Sequence, residues 1–507
     1  MQAQTWLCLA SLLAIQTGTS QSKRVALLPV PFTSHAKYHS NVARALLELG
    51  HEVWLIMADY VMEKGVLDTS GCHVIEYSTV PHIEGSFMAD VRDAYFEKRP
   101  PVFDGIFELY KKHCDILLTN EAFVGALRDL DLDLFVIDNI FTIRMLTIIP
   151  YRLGVPFAFL GTYYDPVAQR IPFSPPVTPW ALLPFTHRMT FLQRLQTTLL
   201  YLTSFFADPC SYSDAVSRYA PEMPDIPVDV LVARAEIWLV ETDHILDYPR
   251  PTVPNVKLIG GTAPEPPKPL PAEFQSFMDG AAEGVVVVSF GSYVLDLPRE
   301  ISDKIFSALR KLPFRAVFRS SLTSPEPGTV MTSPWLPQND LLGHANTRVL
   351  VSHCGKNGQY EALYHAVPVV CLPIFTDQPY NAERMRVKGM AERLDLNTVS
   401  EEELRATILK VGTEKRYKRA ISAASELFRI EFGVPMNRAA FWLDHVMKYG
   451  AAHMRSAGQD LPYYRFIGLD ILAVFFLVVS ATFVLTFLVV WLLCRCVFCR
   501  RSKHKTD

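Results

Sequence analysis

Trp335-Leu-Pro-Gln338-Asn339 opens the stretch that decides the fold of this chain. It continues through Val349-Leu-Val-Ser352, His353-Cys-Gly355-Lys-Asn357-Gly358-Gln-Tyr-Glu361 and Pro368-Val-Val-Cys-Leu-Pro373 to Asp377-Gln378. The order is apolar strand, glycine-containing turn, helix, and a second apolar strand. A helix that starts directly behind a strand presents free N–H groups and a partial positive charge, a setting suited to a diphosphate. Gly355 and Gly358 allow close backbone approach, and His353 and Asn357 add donors. Glu361, one turn into the helix, is an acceptor for ribose hydroxyls. Asp377 and Gln378 follow the next strand at the same edge and suit sugar hydroxyls. Trp335 offers a flat face to a base. Taken singly each feature is ordinary, since glycine turns precede many helices and a lone Trp is usually core.

Outward from this stretch the same grammar repeats. Val285 to Val288 is a β-branched run followed by Phe290-Gly291-Ser292, and Pro298 opens a helix at its first turn. Near the start, Val25 to Leu28 is apolar and Pro29 to Pro31 breaks it. Val42, Ala45, Leu46 and Leu49 recur at helical spacing, Gly50 caps, and Val53 to Met57 is a buried strand. Leu134 to Ile137 is another. These βαβ units predict an α/β protein of two tandem doubly wound, Rossmann-like domains with a ligand crevice at the carboxyl ends of both sheets. Residues 251–271, rich in proline, read as the linker between them. Thr190 to Phe206 is apolar with few charges. An ordinary buried helix is the expectation there, with contact to a membrane or the wall of a lipophilic pocket as alternatives. Glu401 to Met447 reads as largely helical.

The chain has 507 residues and a formal net charge of −3, which excludes the basic excess of a general nucleic-acid binder. Trp6 to Ile15 followed by Thr17-Gly18-Thr19-Ser20 reads as a secretory signal, residues 1–20. Ile471 to Leu493 is uncharged and long enough to span a bilayer. Arg495, Arg500, Arg501, Lys503 and Lys505 follow it, so the tail, 494–507, is expected on the cytosolic side of a single-pass type I protein. Residues 451–470 read as a stem. Of nine cysteines, Cys494, Cys496 and Cys499 sit at the membrane edge, where acylation is plausible. Cys72, Cys114, Cys210, Cys354 and Cys371 are too few and irregular for a disulfide scaffold, and none has zinc-ligand spacing. Asp129-Leu-Asp131-Leu-Asp133 contains an Asp-x-Asp pattern of a kind that can bind manganese, but it precedes a strand of the first domain and reads as a solvated loop.

The stretch from Trp335 to Gln378 resembles the signature of the UDP-glycosyltransferase family, the animal UDP-glucuronosyltransferases and their relatives, and the resemblance runs over nearly the whole chain. It implies two Rossmann-like domains of the GT-B type, an acceptor domain at 21–250 and a UDP-sugar domain at 272–450. It implies that Trp335 stacks on uracil and Gln338 contacts the uridine. It gives the diphosphate to His353, Asn357 and the Gly358 amide beside Gly355, with Ser292 near the phosphates, the ribose to Glu361, and the sugar to Asp377 and Gln378. Two departures stand out: Ser352-His-Cys354-Gly355 where many members read Thr-His-Gly-Gly, and Tyr380 where many have Asp.

A histidine in the loop after the first strand faces the crevice. In the family register it is His35 that takes the acceptor proton, with Asp138 orienting it. His39 is the near competitor and reads as capping or packing; His51 reads as structural. The expected reaction is inverting transfer of a hexosyl group, glucuronic acid first, to a hydroxyl of a lipophilic acceptor, with glucose or galactose as alternative sugars and a non-catalytic membrane binding protein as the alternative class. Arg250 is a candidate for the sugar carboxylate, or a surface residue. No metal or further cofactor is expected. The dilysine-like ending Lys503-His504-Lys505-Thr506-Asp507 points to the endoplasmic reticulum, and homodimers are frequent among such proteins.

Overall fold

The computed structural model describes residues 22–503 except 80–81, 101–102, 181–182, 206–209 and 296. The signal segment and the end of the dilysine-like tail lie outside the described residues. The chain forms two compact units, 1–455 and 456–507.

In the first unit the elements run β1 (Arg24–Leu28), α1 (Thr33–Glu48), β2 (Glu52–Ala58), β3 (His73–Tyr77), α2 (Ile83–Phe96), α3 (Phe103–Thr119), β4 (Leu134–Asp138), β5 (Phe157–Gly161), α4 (Phe191–Thr203), β6 (Trp238–Val240) and β7 (Val256–Leu258). There follow β8 (Val285–Ser289), α5 (Arg299–Arg310), β9 (Arg315–Arg319), β10 (Val330–Ser333), β11 (Thr347–Ser352), α6 (Lys356–Tyr364), β12 (Val369–Cys371), α7 (Gln378–Val387), β13 (Ala391–Arg393), α8 (Glu401–Thr413), α9 (Lys415–Phe432) and α10 (Pro435–Tyr449). The strands make two sheets, β3-β2-β1-β4-β5-β6-β7 and β10-β9-β8-β11-β12-β13. Among the described residues every pairing is parallel. Continuous apolar strands such as Val285–Val288 and Leu134–Ile137 are fully buried because helices cover both faces.

The strand order reverses between β1 and β4 in one sheet and between β8 and β11 in the other. Chain segments leaving those strand ends diverge to opposite faces and leave a crevice there. The loops after β1, β4, β8 and β11 are therefore the ones topology dedicates to a ligand.

Three features depart from the sequence expectation. β7 falls inside 251–271, so part of that linker is the edge strand of the first sheet. Helix α10, beyond the second sheet, packs back into the first core through Met436, Ala439, Ala440, Leu443 and Val446. His51, buried, ties it down by a 2.9 Å bond to Asp444, which gives His51 the structural role expected of it. Finally, α4 is not a buried helix. Thr190 caps it with a full capping box, yet only Thr197 and Tyr201 of its residues are buried.

In the second unit, α11 (Leu469–Lys503) carries an apolar stretch, Leu469–Cys496, long and apolar enough to cross a membrane.

Candidate functional site

The sequence places His35 third in α1, directly behind the Pro-containing loop that ends β1. Asp138 is the last residue of β4, hydrogen-bonded neighbour to β1. Topology alone thus brings residues a hundred positions apart to one crevice. His35 Nδ1 lies 2.8 Å from Asp138 Oδ2. The same carboxylate oxygen accepts from Tyr38 Oη at 2.7 Å and from the Val30 amide at 3.3 Å. Burial raises the Asp138 carboxyl, but the His35 charge and hydrogen bond, His39 and the Tyr38 hydroxyl outweigh it and hold it below the usual carboxylate range. An ionised Asp138 fixes the proton of His35 on Nδ1 and leaves Nε2 with its lone pair. Burial lowers His35, yet Asp138, with smaller help from Glu241 and Asp377, carries it above its ordinary value. His39, fully buried, turns its Nδ1 back to the His35 carbonyl at 3.1 Å, and burial pushes it down to about 4. It packs within the helix, as expected of it, although it stands in the second turn of α1 and not at its start.

His35 lines a cavity of about 850 Å³ between the carboxyl edges of the two sheets. Ser292, Trp335, Gln338, His353, Gly355, Asn357, Gly358, Glu361, Asp377, Gln378 and Arg250 line the same cavity; Asp138 stands behind His35, outside it. The loops interlock across the crevice. The Ser34 amide donates to Tyr293 Oη at 3.0 Å, and Asn357 Nδ2 donates to the Ser34 carbonyl at 3.4 Å.

On the second sheet, the His353 imidazole is wedged between two glycines. A Cβ on Gly291, which has φ +76°, would sit 2.6 Å from the ring, and one on Gly355 would sit 2.4 Å away. No larger residue leaves room for the ring in this place. Burial pushes His353 down to about 4, against a weaker upward pull from Asp377, so the ring is neutral at physiological pH and offers a single N–H donor. Gly355 caps α6, whose amino end faces the cavity with Asn357 and Gly358 in its first turn. Trp335 is 46% exposed, an indole left open on the cavity wall, with the Arg319 guanidinium 5.7 Å from its ring. Gln338 Nε2 donates to Glu361, and Lys37 Nζ reaches Glu361 at 3.5 Å. Gln378 Oε1 accepts from the Ile374 and Phe375 amides, which leaves its amide nitrogen for a ligand. Asp377 accepts from Asn381 at 2.6 Å.

Arg250 is not a surface residue. Its side chain is buried, bonds Asp247 at 2.9 Å and Tyr380 Oη, and stacks 5.0 Å over the Tyr164 ring. Asp247 also holds Arg384 at 2.9 Å. Tyr380, the departure noted in the sequence, thus supports this arginine pair through Asp247. Sequence reasoning missed Tyr38, Glu241, Tyr293, Asp247, Arg384 and Lys356. Only Lys356 carried a signal, as a cation inside the glycine turn. Its Nζ donates to the Thr162 carbonyl of the facing domain at 2.8 Å, and burial pushes it down to about 8.

The spacing of the cysteines offered no pairing, but Cys354 and Cys371 form a disulfide that ties the turn after β11 to the end of β12. The Asp129–Asp133 loop spends Asp133 on Lys23 Nζ and the Arg24 amide, both at 2.8 Å. Among the described residues no cluster of three or more metal-ligating side chains occurs. The opposite end of the cavity is apolar, walled by Phe32, Phe87, Met88, Ile106, Tyr110 and Phe141 from the first domain.

Two parallel sheets facing each other across a cleft, with an imidazole–carboxylate pair on one edge and a glycine turn before a helix on the other, define a glycosyltransferase of the GT-B fold. The chain belongs to the UDP-glucoronosyl and UDP-glucosyl transferase family, whose match covers residues 25–505. It is 32% identical to the 2-hydroxyacylsphingosine 1-beta-galactosyltransferase of Rattus norvegicus over 96% of this chain and 92% of that protein. It is 31% identical to the UDP-glucuronosyltransferase 1A8 of Homo sapiens over 95% and 93%. Among solved structures it resembles the glycotransferase of kitacinnamycin, with a TM-score of 0.61 at 19% identity over 84% of this chain and 99% of that one. It also resembles CalG4, the calicheamicin glycosyltransferase, with a TM-score of 0.58 at 15% identity over 85% and 99%. The chain is a UDP-glycosyltransferase enzyme, and its apolar carboxyl-terminal helix is consistent with membrane anchoring.

Proposed function

We propose that this enzyme transfers glucuronic acid from UDP-glucuronate to a hydroxyl of a small lipophilic acceptor, with inversion at the anomeric carbon. The observation that carries the reading is the His35–Asp138 pair opening into the same cavity as the His353 turn. His35 Nε2 takes the acceptor hydroxyl proton. The acceptor oxygen bonds to the anomeric carbon as the bond from that carbon to the UDP oxygen breaks, and an α-linked donor gives a β-glycoside. The leaving diphosphate gains its charge next to the amino end of α6, the neutral His353 and the Asn357 amide, groups already oriented for it. Trp335 stacks on the uracil, Gln338 contacts the uridine, Glu361 holds the ribose, and Ser292 stands by the phosphates. Asp377 and Gln378 hold the sugar hydroxyls. No metal or cofactor enters the reaction.

Glucuronate is favoured by charge. Arg250, Arg384 and Lys356 line the sugar end of the cavity beside Asp247 and Asp377, three cations to two acids. Galactose is the second reading, favoured by the similarity to 2-hydroxyacylsphingosine 1-beta-galactosyltransferases. The apolar end of the cavity supports a lipophilic acceptor. We place the enzyme in the endoplasmic reticulum membrane with its catalytic unit lumenal, on the signal, the apolar helix and the basic tail.

The deciding experiment offers radiolabelled UDP-glucuronate, UDP-glucose and UDP-galactose to the detergent-solubilised full chain with a panel of lipophilic alcohols. Glucuronide as the dominant product, β by proton NMR, is the expected result. A dominant galactoside or glucoside overturns the sugar, and an α product overturns the one-step displacement.

A further inference from the structure

Helix α4 is amphipathic in the wrong sense for a soluble domain. At about 100° per residue, Phe191, Leu202, Leu195, Leu199 and Leu192 fall in one stripe about 100° wide. That stripe points to solvent: Phe191 is 67% exposed, Leu192 72%, Leu195 44%, Leu199 53% and Leu202 46%. The side that meets the body buries only Thr197 and Tyr201, with Gln193 and Thr198 half-buried beside them. The helix is nevertheless locally encoded, since Thr190 and Gln193 close a capping box at its start. A helix built to this pattern, with a wet apolar face and a fixed start, has no partner for that face among the described residues.

We propose that α4 lies in the surface of the lipid bilayer, its leucine stripe inserted among the acyl chains at the headgroup boundary. The inference rests on Leu469–Cys496 spanning that bilayer. Residues 456–468 join the span to the folded unit, a connection of at most ~45 Å even fully extended. A bilayer is therefore held at high effective concentration beside every apolar face of the unit. Arg188 and Arg194 are exposed at the amino end of the helix, placed for lipid phosphates, and Arg194 reaches back over the Phe191 ring. Interfacial helices bury such a face by roughly 5–10 Å with cationic side chains at its rim. A second copy of the chain is the poorer occupant. The stripe has five side chains, whereas a stable interface takes about 20–30 residues a side.

Seating α4 in lipid has a consequence for the acceptor. Tyr201, on its inner side, packs 5.1 Å from Phe173, and Phe173 lies 6.2 Å from Tyr164, which lines the cavity. Three packed rings then link the helix to the cavity wall beside Arg250, and acceptors dissolved in the membrane enter along that wall toward the apolar end without crossing water.

The test places a benzophenone amino acid at Leu199, and in a second chain at Phe483 of the span, in the full chain reconstituted into phosphatidylcholine vesicles. After irradiation, mass spectrometry of the Leu199 chain is expected to show lipid adducts, as at Phe483. Adducts at Phe483 but none at Leu199 overturn the proposal, as does a cross-linked dimer through Leu199. Absence of lipid adducts at Phe483 overturns the span itself, and the seat of α4 with it. In parallel, Leu192→Ser, Leu195→Ser and Leu199→Ser combined are expected to raise the KM for vesicle-borne acceptors several-fold. The KM for the UDP-sugar and the Tm should not move, because these side chains touch neither core nor donor turn. An unchanged acceptor KM overturns the membrane route.

Discussion

At the scale of single residues the site is a set of opposed protonation states. Asp138 stays charged, His353 stays neutral, and His35 is poised between them. His35→Ala is expected to lower kcat by roughly 10²–10⁴-fold, the range for loss of a general base. Calorimetric binding of UDP should be unaffected, since the donor turn does not rest on this ring; lost UDP binding would mean that His35 holds the cleft rather than the proton. The pH profile follows from the neutral base. Burial lowers His35 but Asp138 more than compensates, so its value lies above 6.5 and kcat/KM should fall as pH drops through that value. In Asp138→Asn burial remains while the raising charge is gone, so the acid limb should move to lower pH, with turnover reduced. A limb that stays put would assign it to another group. Lys356→Gln should raise the KM for UDP-glucuronate more than that for UDP-glucose. An equal change for both would leave Lys356 as a bridge to the Thr162 carbonyl only.

At the scale of elements, the turn from β11 into α6 depends on what its neighbours leave out. Gly291 and Gly355 vacate the space that His353 fills. Cys354 occupies a left-handed backbone position at φ +60° in that turn, where glycine would be at ease, and its bond to Cys371 anchors it to β12. Gly291→Val should weaken UDP binding at least tenfold by titration calorimetry, since a branched side chain must displace the imidazole and also take φ +76°. Unaltered affinity would remove His353 from the donor site. Helix α4 belongs to this scale as well. Its apolar content reads as a core helix in sequence, because composition reports how greasy a segment is and not which way its faces point.

At the scale of the whole molecule, the chain does not divide cleanly into two halves. Helix α10 returns from the second sheet to close the core of the first with Met436, Leu443 and Val446. A chain ending at Gly433 should therefore lose cooperative unfolding and aggregate, while one ending at Arg455 should keep a sharp thermal transition. Equal behaviour of the two would show that α10 is dispensable to that core.

What the sequence determined was the local grammar: apolar strands, the glycine turn before α6, the helix opened by Pro298, and the apolar carboxyl-terminal helix, whereas the start of α1 at Thr33, ahead of His35, came from the structure. These follow from periodicity and backbone chemistry within a few residues; it was the resemblance to the family, not this grammar, that singled out His35 and gave the Trp335–Gln378 stretch its donor role. Only the tertiary structure decided that Arg250 is buried against Asp247 and Tyr380, that Lys356 reaches the facing domain, that Cys354 meets Cys371, and that the leucines of α4 face outward. Each of those facts is a contact, or the lack of one, between segments far apart in the chain, and no local pattern records which distant surface a side chain will meet.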